Sequence, residues 1–206
     1  MEKFLLCSKF PAEHGVIRPS SKLTLDIKIH EVVMSLYDSK YEKFLFQKID
    51  DSDFLSGFLI GHLVIEHLLE EIIVSYDPKL KIHFSSLSHS RKINLINSLG
   101  LIPNGAASCL QDINKMRNKF AHELGYEPNK GELKNLVRKC KENFSDFTDG
   151  LEQILGALEN CDNLQDTCND YGCGLADLFI QIVYDLEGYV HASLEKNLPP
   201  PLSIAD

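Results

Sequence analysis

The chain has 206 residues, is 44% hydrophobic and carries a formal net charge of −9, which is length and apolar content enough for one domain with a buried core. That balance excludes a disordered chain. It also argues against a general nucleic-acid binder, because phosphate affinity comes from cations and is opposed by like charge.

The N-terminal MEKFLLCSKF has two lysines, a short apolar stretch and no small-residue cleavage site behind it. It is a poor signal peptide, so a cytoplasmic location is expected. Residues 1–50 contain the β-branched stretch LTLDIKIHEVV but are read as a helical N-terminal extension. Phe54 to Val74 is apolar and long enough for a bilayer, yet His62, Glu66, His67, Glu70 and Glu71 interrupt it, and each is costly in hydrocarbon. It therefore reads as a buried core helix, capped by Asp51 or Ser52 and ended by Pro78, and no membrane partner is expected.

A second helix is predicted over Arg91 to Leu99, closed by Gly100. After the turn LIPNGA, a third runs from about Ala106 towards His122 and stops near Gly125. PNKGE opens a fourth that continues through Lys141, and further helices cover Leu151 to Glu159 and Leu175 to Leu194. Apolar residues recur at three and four spacing, while alternating strand-like runs with hairpin dipeptides are nearly absent, so the fold class is all-α. The organisation is an extension over 1–50, a helical bundle over 51–198 and a proline-rich tail over 199–206.

Six cysteines without an export signal read as reduced thiols, most of them in the core. Cys161, Cys168 and Cys173 are spaced seven and five apart, unlike the paired C-x-x-C of structural zinc, and no histidine is close. HLVIEH places His62, Glu66 and His67 in the order H-x-x-x-E-H, which is not the spacing of a zinc-protease helix. His62 and Glu66 share a face and are expected to form a buried hydrogen-bonded pair. No metal and no cofactor is expected.

Charge is segregated along the chain. Residues 78–141 hold twelve Lys or Arg against four Asp or Glu, whereas residues 142–195 hold twelve acidic residues and no Lys or Arg. One reading pairs the lysines with the acidic helices. The other lines a groove with them and turns the acid outwards.

MRNKFAH, residues 116–122, lies inside the basic segment. Ile113, Met116 and Phe120 have the spacing of a core-facing stripe, and Asn118 and His122 are four apart on another face, where the amide could fix the imidazole. Arg117 and His122 are five apart, which at about 100° per residue puts them off a common face of a straight helix. They converge only where the helix ends, or across a two-fold axis that brings in a second copy. A histidine that moves a proton and an arginine that holds a phosphate suffice to drive a ribose 2′-hydroxyl against its neighbouring phosphate.

The order GHLVIEHLLEEII, SRKINLINSLGLIPNG and INKMRNKFAHE resembles the HEPN superfamily, particularly the branch containing the mannitol operon repressor, over roughly residues 52–124. Arg117, Asn118 and His122 match the R-x4-H pattern of HEPN ribonucleases position by position. The resemblance implies a helical bundle that dimerises through this helix and cleaves RNA without metal. Arg117 and His122 would then be catalytic, Asn118 orienting, and Lys115, Lys119, Lys130 and Lys134 would bind the RNA. Toxin members often continue R-x4-H-x-Y, but position 124 is Leu124 and the tyrosine is Tyr126, which puts control by tyrosine modification in doubt. Three expectations follow: an endoribonuclease of the toxin or defence kind, with an antitoxin or regulatory protein as partner; a non-catalytic transcriptional regulator; or a structural interaction module.

Overall fold

A computed structural model describes residues 40–49, 52–145, 150–160 and 174–196. Every regular element among them is a helix, so the chain is an all-α bundle. The cluster of Cys161, Cys168 and Cys173, most of the N-terminal extension and the proline-rich tail lie outside the described residues.

Helix α1 (Lys40–Ile49) buries Leu45 and Ile49. Helix α2 (Phe54–Tyr76) follows, and its cap is Asp53, whose carboxylate accepts from the Ser56 amide at 2.9 Å and the Ser56 hydroxyl at 2.7 Å. The cap falls after the two expected candidates because the Ser52 hydroxyl is turned back to the Lys48 carbonyl, closing α1 instead. At the far end Pro78 opens one 3-10 turn, Pro78–Leu80, and a short helix α3 (Lys81–Ser85) that the sequence pattern did not announce.

Helix α4 (His89–Ser98) begins two residues before Arg91 and ends as expected at Gly100. There Gly100 adopts φ 66°, its amide bonds Asn97 O at 2.9 Å, and the Leu101 amide reaches back to Ile96 O at 3.1 Å. A left-handed residue closing two helical carbonyls in this way favours glycine. Helix α5 (Asn104–His122) carries the MRNKFAH stretch at its C-terminal end. Helix α6 (Lys130–Asn143) starts with a reciprocal cap, Asn129 accepting from the Glu132 amide and Glu132 from the Asn129 amide, both at 3.0 Å. Helices α7 (Gly150–Asn160) and α8 (Leu175–Lys196) complete the order.

The two long helices α2 and α8 pair along their length, and α1 packs on both. Gly61 permits the closest approach: a Cβ there would lie 2.2 Å from the Phe179 ring. Phe58, fully buried, sits 5.4 Å from the rings of both Phe120 and Phe179. Helices α4, α5, α6 and α7 pack in succession, and α5 also returns to α2. That layering puts one side of α5 against α2 and α4 and leaves its last turn at the surface. No described helix is long and apolar enough to cross a membrane.

Candidate functional site

The last two turns of α5 divide as their spacing predicts. Ile113 and Met116 are buried, and Phe120 packs between Phe58 and Tyr126, 5.4 Å and 5.1 Å from their ring centres. Asn118 and His122 are both exposed, one turn apart, and Arg117 is half-buried beside them. The Arg117 Nη1 donates to Asn118 Oδ1 at 3.3 Å. The hydrogen bond between Asn118 and His122 that the spacing allows does not form; the Asn118 amide oxygen accepts from Arg117. The helix stops at His122, with the Glu123 amide on Lys119 O at 2.8 Å and Gly125 at φ 74°. Leu124 is fully exposed, while the Tyr126 hydroxyl donates to Glu132 at 3.3 Å.

The four lysines expected to bind RNA split into two pairs. Lys115 precedes the motif and Lys119 lies within it, and each holds a nearby carboxylate at 2.7 Å, Asp112 and Glu132 respectively. Lys130 and Lys134 instead reach α7, Lys130 donating to the Glu159 carbonyl at 3.2 Å and Lys134 pairing with its carboxylate at 2.7 Å. Arg138 adds a 3.6 Å contact to Glu159, and Lys141 pairs with Glu152. Glu152 and Glu159 therefore hold cations of the basic helix while their side chains stay 65% and 54% exposed. Of the two readings of the charge segregation, pairing of basic and acidic helices is the one seen on this side of the molecule, between α6 and α7.

A second polar cluster lies on the inner side of α5. His62 is 3% exposed and Lys92 is also 3% exposed, both unusually buried for their types. Glu66 does not pair with His62 as expected. Its Oε1 accepts from Lys92 Nζ at 2.8 Å, and the same ammonium reaches Glu70 at 3.1 Å. Burial alone would raise the Glu66 carboxyl, but the hydrogen bond and charge of Lys92 outweigh it and hold it below the usual range. Burial likewise opposes the Lys92 charge, and the two carboxylates prevail, raising it.

Asn114, a buried residue of α5, lies close enough to His62 to favour its charged form, although burial outweighs it. His89, the first residue of α4, lies over His62 with ring centres 4.2 Å apart. His62 Nε2 and both ring nitrogens of His89 are buried without a hydrogen-bond partner. A buried polar atom left so costs on the order of 1–3 kcal/mol. Burial is the main reason both imidazoles resist protonation; the Arg117 charge adds to it at His62, and the adjacent His62 adds to it at His89, which falls to about 4. Arg117 thus influences the inner cluster as well as the outer motif.

Reading the sequence singled out Arg117, Asn118 and His122 as candidates and noticed His62 and Glu66. It missed His89, Lys92 and Asn114, since nothing local marks residues 27, 30 and 52 positions after His62 as its neighbours. Compared with known protein families, with curated proteins and with solved structures, the chain finds no match in any of the three.

Proposed function

We propose that the protein is a metal-independent endoribonuclease of the HEPN kind, acting as a homodimer across the C-terminal turns of α5. The observation that carries this reading is the grouping at that helix end: Arg117 bonds Asn118, and Asn118 and His122 stand exposed one turn apart. In the reaction, His122 takes the proton of a ribose 2′-hydroxyl as its oxygen attacks the adjacent phosphorus. Arg117 holds the non-bridging oxygens of the phosphate and offsets their growing charge. The bond to the 5′-oxygen breaks, and that oxygen is protonated by the His122 of the second copy, leaving a 2′,3′-cyclic phosphate and a 5′-hydroxyl.

Asn118 keeps the guanidinium in place. Lys115 and Lys119 supply the nearest further cations; Lys115 is 73% exposed, and ion pairs at such positions are weak enough for a phosphate to displace. Lys130 and Lys134 are engaged with α7 and contribute less.

The test is cleavage of single-stranded RNA in EDTA. His122→Ala and Arg117→Ala should each reduce it by about 10²-fold or more. Arg117→Lys should restore little, because an ammonium lacks the planar two-point grip. Light scattering should find a dimer. A monomer that cuts no RNA would overturn the reading.

The engagement of Lys130, Lys134, Arg138 and Lys141 with α7 favours a second reading, a non-catalytic regulator or interaction module, since it removes cations from a nucleic-acid surface. Such a protein would dimerise and bind a protein partner with no RNA turnover.

A further inference from the structure

The inner cluster points to a binding site for one divalent transition-metal ion of the zinc class, held by His62 and Glu66 of α2 and His89 of α4. The inference stands apart from the ribonuclease reading, because it uses neither His122 nor the exposed end of α5.

The placement is the first argument. His62 and Glu66 are four apart on one face of α2, and the first turn of α4 lays His89 over them. One ligand atom from each residue lies within 4.8 Å of the others, and His89 Nδ1 is already 3.9 Å from Glu66 Oε2. Zinc bonds of about 2.0–2.2 Å in a tetrahedron place ligand atoms roughly 3.3–3.5 Å apart. Small side-chain rotations therefore close the site with the helices where they are.

The second argument is the unmet chemistry. His62 is 3% exposed and the His89 side chain 8% exposed, yet His62 Nε2 and both nitrogens of His89 lack partners. Two neutral imidazoles face each other, and a hydrogen bond between them would satisfy only part of what is left open. A metal ion takes a lone pair from each.

The surroundings are those a ligand set needs. Asn114 is placed near the His62 ring, where it could orient it, and Lys92 holds Oε1 of Glu66, which leaves Oε2 to coordinate. Outer partners of this kind fix ring and carboxylate orientation in metal sites. Two imidazoles and one carboxylate suit zinc and its neighbours, where calcium and magnesium prefer an all-oxygen shell. Three protein ligands leave a fourth position for water or hydroxide. The Lys92 and Arg117 cations nearby favour the anionic choice, while Glu66 and Glu70 offset the added charge. The ion would join α2 to α4 beneath α5.

The experiment uses the full chain, stripped with a chelator, dialysed and titrated with Zn2+ by calorimetry and with Co2+ by absorption. One ion per chain is expected, with the intense ligand-field bands of a four- or five-coordinate cobalt site and a raised melting temperature. His62→Ala and His89→Ala should abolish binding, while Asn114→Ala should weaken it about tenfold. His67→Ala and His122→Ala should leave it intact. X-ray absorption at the zinc edge of the wild-type protein keeps the proposal open to refutation should the alanine variants not fold: it should read two imidazoles with oxygen in the first shell. Absence of binding, a shell without imidazole pairs, or binding that persists unchanged in folded His62→Ala and His89→Ala would overturn the site. RNA cleavage in EDTA is read separately, so either proposal can fail alone.

Discussion

Helix α2 shows two chemistries on one rod. Towards α8 it presents Gly57, Phe58 and Gly61, and the contact is made of rings, methyls and backbone at close range. Towards α4 and α5 it presents His62, Glu66 and Glu70, and the contact is made of an ammonium, an amide and a second imidazole. The first side is satisfied by exclusion of water alone, so any apolar shape that fits will serve. The second is satisfied only by particular partners at particular distances, and it is there that nitrogen atoms remain unmet. Stability is concentrated on the dry side, and specific chemistry on the polar one.

The largest expected effect breaks the dry side. Phe58 is fully buried and meets three other rings, so Phe58→Ala should cost about 3–5 kcal/mol by urea unfolding, from lost burial and the cavity left behind. Gly61→Ala comes next. Its methyl would collide with the Phe179 ring, and overpacking of this kind costs about 1–3 kcal/mol, part of it offset by the better helix propensity of alanine. Combining Gly61→Ala with Phe179→Leu should recover part of the loss, since the two positions touch and their effects should not add. Strict additivity would mean that α2 and α8 are not this close.

The same contrast explains what could be read before folding. The far ends of α2, α4 and α5 and the start of α6 were legible because Pro78, Gly100, Gly125 and the PNKGE stretch are local devices acting within a few residues. The core stripe of α5 was legible because Ile113, Met116 and Phe120 repeat with the helix. The cap of α2 was misplaced because Ser52 is spent on the end of α1, a competition between two helices separated by four residues. The partner of His62 was not legible, because Asn114 and His89 reach it only through tertiary packing. Pairing of the basic segment with the acidic helices was one of the two readings the charge pattern allowed, but which lysine meets which carboxylate, Lys134 with Glu159 and Lys141 with Glu152, is set by the packing of α6 on α7.

Lys92→Met tests the polar side directly. The substitution keeps the length of the stem against Phe84, over whose ring the ammonium sits at 5.5 Å, and removes the charge between Glu66 and Glu70. Removing one partner of a fully buried pair costs about 3–5 kcal/mol. Here both carboxylates are about a third exposed and can regain water, so about 1–2 kcal/mol is expected in its place. A cost as large as that of Phe58→Ala would mean that the carboxylates are sealed off and that the two sides of α2 contribute alike.

The smallest effect belongs to the polar seam between α5 and α6, and its sign with pH is the informative part. Asp112 accepts from Lys115 at 2.7 Å on one oxygen and from Lys139 on the other, and Lys139 also donates to the Ser108 carbonyl at 3.1 Å. Burial would raise the Asp112 carboxyl, but the two ammonium groups outweigh it and hold it below its ordinary value of 3.8. A carboxyl lowered on folding contributes stability that is present above its unfolded value and disappears as pH falls through the folded one. Asp112→Asn should therefore lower stability at pH 7 by less than about 1 kcal/mol, as expected for a partly exposed pair. Unfolding curves of the two proteins should converge as the pH is taken below 3.8. A gap that persisted in acid would assign the role of Asp112 to shape and neutral hydrogen bonding, making this seam resemble the dry side of α2 more than its polar one.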